Sequence, residues 1–211
     1  MKIAITGGIG SGKSYVCRIL EKHGVKVYDC DAGAKRLMRS NLDLQIALRN
    51  LVGEEVYQEE LFPFDRFSTE KIVHCYVLDK AVLAQFILAS DANKRAVNEV
   101  VHPFVARDFE ESGYDWLESA ILFDSGFDKR THFDYVVCVT APVSVRLKRI
   151  MQRDGISQEK AQAWIDAVMP QEELVARSDF EIVNDGVTDL EEQIEVLFGK
   201  LTTCMVERKA P

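Results

Sequence analysis

Residues 2–20 read KIAITGGIGSGKSYVCRIL, and this stretch decides the fold. Ile3-Ala4-Ile5 is a short apolar run that feeds a glycine-rich turn, and Val16, Ile19 and Leu20 follow at helical spacing. The turn between them fits G-x-x-x-x-G-K-[ST] at Gly7, Gly12, Lys13 and Ser14. A strand, a glycine turn and a helix in that order make a phosphate cradle. Glycines let successive N–H groups face one concavity, and the helix aims the positive end of its dipole at the same point. In such a cradle Lys13 reaches the β- and γ-phosphates of a nucleotide, and the Ser14 hydroxyl ligates Mg²⁺. An ordinary glycine-rich βα turn is the alternative, and the flanking strand and helix weigh against it.

Outward from this stretch, strand-like runs alternate with helical ones, as in a parallel sheet covered on both faces. Residues 25–28 read as a strand ending at Asp29-Cys30-Asp31, and 32–51 as helix broken near Ser40-Asn41. Residues 53–78, with Gly53, Pro63, several acids and Tyr57, Phe62, Phe64 and Phe67, predict a loop-rich excursion with a short helix from Thr69. Residues 79–109 read as helical, with Pro103 at a junction between two helices. Trp116 to Phe123 reads as a buried strand ending at Asp124, and 135–140 as a central parallel strand. Pro142 opens a basic helix over 142–153, and Ser157 caps a further helix that stops before Pro170. Residues 180–183 form the last strand. Thr188-Asp189-Leu190-Glu191 has the form of a capping box for a final helix, and a frayed tail is expected beyond Leu201.

The 211 residues suit one large domain, or one core with subsidiary parts, and 47% hydrophobic with 28% charged residues is an ordinary globular composition. A formal charge of −8 argues against a nucleic-acid-binding surface, while leaving room for a local basic site. Cys17, Cys30, Cys75, Cys138 and Cys204 are scattered and odd in number, with no C-x-x-C pair. They predict reduced thiols, with no disulfide frame and no zinc site. The chain enters a strand at once and holds no apolar run of membrane length, so a soluble, cytoplasmic protein without a leader is expected.

Ligands of an open parallel sheet bind beyond the carboxyl ends of its strands. The 7–14 loop, Asp29/Asp31, Asp124 and Asn184 are expected at such ends. Asp31 suits a general base that deprotonates and aligns an acceptor hydroxyl; capping the next helix is the other reading. Asp124, after Ala120-Ile121-Leu122-Phe123, suits a second ligand for Mg²⁺ or, equally, a turn acid. Arg146, Arg149 and Arg153 share one helix face in an otherwise acidic chain. They suit phosphate oxygens and charge developing in a transfer reaction, against the alternative of a solvated basic face. His102, before Pro103, reads on its own as a core or capping histidine.

Taken together, TGGIGSGKS at 6–14, YDCDAGAKRL at 28–37, VNEVVHPFV at 97–105, ESAILFDSG at 118–126, RLKRIMQRD at 146–154 and IVNDG at 182–186 make the chain resemble the dephospho-coenzyme A kinases from residue 1 to about 199. That family phosphorylates the ribose 3′-hydroxyl of dephospho-CoA with ATP in the last step of CoA synthesis. The resemblance implies a P-loop nucleoside-kinase-like, three-layer α/β/α fold with a five-stranded parallel sheet, a helical CoA-binding region and an Arg-rich lid. It implies a single domain over 1–211, with an acceptor-binding insertion at about 32–110 and a lid at about 142–178. It gives Asp31 as catalytic base beside Lys13 and Arg149. Gly8, Gly10, Ser11, Gly12, Lys13, Ser14, Tyr15, Arg149, Arg153 and Asn184 would bind ATP, and Asp31, Lys35 and His102 would meet the acceptor. Ser14, with Asp124 as a second candidate, would hold Mg²⁺. ATP and dephospho-CoA are the small-molecule partners, with no nucleic acid or membrane, in a monomer or small homo-oligomer.

The chain also departs from the family. Tyr15 stands where a small hydroxyl residue is usual, Val168 where a glutamine is common, and Val77-Leu78-Asp79-Lys80 where Gly-x-Leu-Asp-Arg is expected. Lysine carries charge without arginine's bidentate fork. A kinase for another small acceptor remains the nearest rival. A GTPase-like switch needs Asn-Lys-x-Asp, and Asn184-Asp185 lacks the lysine.

Overall fold

The computed structural model describes the backbone of residues 1–65 and 68–209 and the side chains of residues 1–60 and 76–204. The chain forms two compact units, Met1–Asp29 with Ser112–Pro211, and Cys30–Glu111.

The first unit is built on β1 (Ile3–Thr6), β2 (Val27–Asp29), β5 (Trp116–Glu118), β6 (Tyr135–Thr140) and β7 (Phe180–Val183), in the order β2-β5-β1-β6-β7. All four pairings are parallel. Central β1 is buried along its whole length, so its sequence is a continuous apolar run with no alternation. Helices α1 (Lys13–Lys22) and α9 (Leu190–Lys209) cover one face, where Val16, Leu20, Ile194 and Leu197 pack on Ile3, Ile5, Val139 and Ile182. Each fully buried side chain of this kind contributes about 1.5–3 kcal/mol. Helices α6 (Val143–Asp154), α7 (Gln158–Asp166) and α8 (Gln171–Ala176) lie between β6 and β7 in sequence. Ile150, Ala161 and Ile165 form a small core of their own, and Ile9 of the glycine turn packs against it.

The second unit holds α2 (Cys30–Ser40), α3 (Leu42–Val52), a 3₁₀ turn (Glu54–Val56), β3 (Tyr57–Asp65), β4 (Ser68–Leu78), α4 (Lys80–Ala89) and α5 (Asp91–Glu111). Asn41 supplies the break expected near 40–41, accepting the Leu44 N–H at 3.0 Å to cap α3. Helices α2, α3 and α4 all pack on α5.

Several expectations are corrected. Residues 57–78 are not a loop with a short helix from Thr69; β3 and β4 pair antiparallel from Tyr57↔Leu78 to Asp65↔Ser68. At its root the Tyr57 hydroxyl donates to the Met38 carbonyl at 2.7 Å, and the Arg49 guanidinium sits 3.9 Å from the Tyr76 ring centroid. Phe67 and the side chains of Phe62 and Phe64 lie outside the described residues. The helix junction falls at Ser90, whose backbone is extended and whose Oγ accepts the Asn93 N–H, while Pro103 lies inside α5. Val97, Val101 and Val105 are buried on one stripe spanning both sides of the proline, which holds the helix through the lost hydrogen bond.

Pro142 is the N-cap of α6, one residue before its first turn. Asp189, accepting the Glu191 and Glu192 N–H groups, caps α9 in place of the Thr188 box, and Thr188 Oγ1 donates to Asp185 instead. The backbone of α9 stays helical through Lys209, beyond the expected fraying point.

Candidate active site

The glycine turn leaves β1 at Thr6 and delivers the chain into α1 at Lys13. Gly12 sits at the N-cap of α1 with φ of 87°, in the left-handed region that favours glycine. A Cβ there would lie 2.2 Å from Asn184 Nδ2, so a side chain is excluded by space as well as by conformation. No side chain caps α1 and no acid stands in its first turn, which leaves its first amides directed at the turn.

The Lys13 side chain is buried, donates from Nζ to the Gly7 carbonyl at 2.8 Å and lies 3.9 Å from Glu118 Oε1. Burial pulls the Lys13 pKa down, and the Glu118 carboxylate opposes that pull. Glu118 ends β5 directly across from Ile5, and the next residue, Ser119, donates its N–H to the Ile5 carbonyl at 3.0 Å. Glu118 is therefore the acid at this strand end, a position expected for Asp124. Asp124 is exposed in a run of turns at 120–126, because β5 stops after three residues and the chain coils to bury Leu122, Phe123 and Phe127. The legible signal was strand length: a partner to the four-residue β1 cannot run from 116 to 123 and stay paired.

On the other side, α6 grips the turn by its carbonyls. Arg146 is buried and donates from Nε to the Ile9 carbonyl at 2.9 Å, with its guanidinium against Gly8. Arg149 donates to the Ser11 carbonyl at 3.1 Å, the Asn184 carbonyl at 3.0 Å and Asn184 Oδ1 at 3.0 Å. Asn184, just past β7, closes the ring by donating Nδ2 to the Ser11 carbonyl at 2.9 Å. Burial also lowers the Arg146 pKa, countered by Glu172 of α8. Lys13, Arg146 and Arg149 thus concentrate positive charge around one short turn of an acidic chain, a site matched to a polyanion.

Arg146 is expected, with Arg149 and Arg153, to suit phosphate oxygens; its Nε bonds the Ile9 carbonyl, 137 residues away in the chain. Arg153 bonds its neighbour Asp154 at 2.8 Å. Tyr15 is half-exposed on α1, with the Arg18 guanidinium 5.5 Å from its ring centroid. The Ser14 hydroxyl group is carried on an exposed residue in the first turn of α1. Among the described residues no group of three or more His, Cys, Asp or Glu side chains could hold a metal ion. A single hydroxyl beside a phosphate cradle fits Mg²⁺, which keeps waters and takes most of its other ligands from the phosphates. In the second unit, Asp31 stands in the first turn of α2 and pairs with Lys35 one turn on. His102 is half-buried on α5. Among the described residues no helix is long and apolar enough to cross a membrane.

The chain is similar to known proteins. The family model described as dephospho-CoA kinase matches residues 1–189. The dephospho-CoA kinase of Bacteroides fragilis is 38% identical over 95% of this chain and 93% of its own length, and that of Chlorobium luteolum is 32% identical over 99% and 92%. A solved structure from Thermus thermophilus superposes with a TM-score of 0.72 at 31% identity, covering 95% of this chain and 97% of that one. Campylobacter jejuni dephospho-CoA kinase (TM-score 0.58, 22% identity, 96% and 98% covered) and Bacteroides thetaiotaomicron shikimate kinase (0.56, 13%, 96% and 98%) share the fold. With a parallel five-stranded sheet, a lysine-bearing glycine turn and a family match across nine-tenths of its length, the chain belongs to the dephospho-CoA kinase family.

Proposed function

We propose that the turn at 7–14 binds the phosphates of ATP and that the γ-phosphoryl group passes to the ribose 3′-hydroxyl of dephospho-CoA. The observation that carries this is the Lys13 side chain lying under the turn, held between the Gly7 carbonyl and Glu118, inside a ring of arginine-gripped carbonyls. Amides of Gly8, Gly10, Ser11 and Gly12 and the first turn of α1 receive the β- and γ-phosphates, with Tyr15 beside them. Lys13 follows the charge as it shifts toward the β–γ bridge. Arg149 adds charge stabilisation from α6, Arg153 joins when the 142–178 region closes, and Asn184 lies by the adenine. The Ser14 hydroxyl would hold Mg²⁺, which would supply neutralisation of charge on the triphosphate.

Asp29 ends β2 on the sheet edge at which the turn leaves β1, and Asp31 follows two residues later. Asp31 takes the acceptor's proton as the new P–O bond forms and the bond to the β-phosphate oxygen breaks. Lys35 and His102 contact the acceptor from the 30–111 unit. Exclusion of water by the closing region keeps the phosphoryl group for the alcohol. The enzyme works in the cytoplasm as a monomer or small homo-oligomer, on small molecules only.

The mechanism is tested by Asp31→Asn. Dephospho-CoA-dependent ADP release should fall by about 10²-fold or more, with ADP affinity within about twofold of wild type. Equal loss of binding and turnover would instead make Asp31 a structural residue.

A further inference from the structure

We propose that Arg146 is a positioning residue for the donor site: by drawing the Ile9 carbonyl onto α6, it turns the Gly10 N–H toward the phosphates. This rests on the reading of 7–14 as the ATP site and deepens it.

Arg146 is only 3% exposed, an unusual place for a guanidinium. Its Nε donates to the Ile9 carbonyl at 2.9 Å. Its guanidinium head lies against Gly8, where an added Cβ would come within 2.5 Å of Nη2 and 2.9 Å of Cζ. One turn of backbone does the rest. An added Cβ on Gly10 would lie 2.9 Å from the Arg146 carbonyl and 3.0 Å from Ile150 Cγ1, so α6 backs directly onto the loop.

The consequence follows from peptide geometry. The Ile9–Gly10 peptide bond is trans, so the Ile9 carbonyl and the Gly10 N–H lie in one plane and point in opposite directions. Fixing the carbonyl on α6 fixes the N–H away from α6, on the concave side of the loop. Arg149 and Asn184 hold the Ser11 carbonyl in the same manner, which orients the Gly12 N–H. Arg146 thus acts through Ile9 and Gly10, and its own head stays behind the loop. The Glu172 carboxylate on α8 offsets part of the cost of burying this cation. Lysine cannot replace it, because a single ammonium cannot both cover Gly8 and donate to the Ile9 carbonyl from a separate nitrogen.

The test compares ADP and AMP binding in the wild-type chain, Arg146→Met and Arg146→Lys, by titration calorimetry with Mg²⁺ present. AMP lacks the phosphate that the loop amides meet. Both variants should weaken ADP by about tenfold or more while AMP moves by less than about twofold. KM for ATP should rise, with KM for the acceptor unchanged. In glycine-selective ¹⁵N spectra, ADP should shift the Gly10 amide of the wild type and leave that of Arg146→Lys near its free position. Should Arg146→Met fail to fold, Arg146→Lys carries the test alone, with its thermal midpoint recorded. A folded Arg146→Lys with ADP affinity within about twofold of wild type would overturn the proposal, as would equal weakening of ADP and AMP. A wild-type chain that binds no ADP would overturn the donor-site reading as well.

Discussion

Asn184 and Ser11, 173 residues apart, meet through one buried hydrogen bond, Nδ2 to carbonyl at 2.9 Å. The bond ties the end of β7 to the turn after β1, two strands that do not touch but both flank β6. Arg149 completes the triangle by donating to Asn184 Oδ1 at 3.0 Å. The phosphate loop is therefore held from outside by side chains that accept and donate in fixed directions.

Removing that tie has two separable costs. Asn184→Ala should lower stability by about 1–3 kcal/mol in urea unfolding, because the Ser11 carbonyl and the Arg149 guanidinium each lose one of their buried partners. Gly12→Ala should weaken ADP binding by about tenfold or more, since φ of 87° and a contact at 2.2 Å with Asn184 both oppose a Cβ. In the double variant the steric part is relieved, so the combined loss of ADP affinity should be less than the sum. Additive losses would mean the two residues do not act on one another.

How much of this was legible in the sequence depended on the range of the interactions. The turn at 7–14, the strands at 135–140 and 180–183 and the Ser157 cap are fixed by neighbours a few residues away, and they stand as read. Asp124 was misplaced because an apolar run such as 120–123 reads equally as strand or buried turn, and pairing with β1 decides it. Pro103 misled for the same reason: tertiary burial of Val97, Val101 and Val105 outweighs the local cost of proline. The hairpin at 57–78 has few apolar alternations and is anchored at its root by Arg49 and Tyr57, contacts no local pattern announces. The role of Glu118 and the grip of Arg146 on the Ile9 carbonyl are not legible in the sequence, because each acts across elements far apart in the chain.

Glu118 sets the charge state of the loop lysine. Burial lowers the Lys13 pKa and Glu118 raises it, so Glu118→Gln should lower it further. Lys13 is charged below its pKa. The alkaline limb of the KM(ATP) profile should therefore move to lower pH in the variant, with the acid limb unmoved. Superimposable profiles would show that Glu118 does not govern Lys13.

Two thiols should make the fold sensitive to alkali. Burial pushes Cys17 and Cys138 from 9.0 up to about 12. A group whose folded pKa is raised stabilises the fold fully below its unfolded value, and that stability is lost as pH rises from 9.0 toward about 12. Tyr57, pushed by burial from 10.0 to about 12, acts in the same sense as the thiols, while Lys13, lowered from 10.5, has the opposite sign over its own window. The urea midpoint should fall between about pH 8 and about pH 10, and Cys138→Ala should flatten that fall whatever its baseline stability. A midpoint that is flat or rising in the wild type would contradict this.

The acceptor decides the account. With ATP and Mg²⁺, product mass spectrometry on dephospho-CoA, shikimate, deoxyadenosine and an acceptor-free control should find one added phosphoryl group on dephospho-CoA alone, at its ribose 3′-oxygen, with ADP formed in equal amount. Phosphorylation of another acceptor in preference, or ADP release no faster with dephospho-CoA than without it, would contradict the assignment.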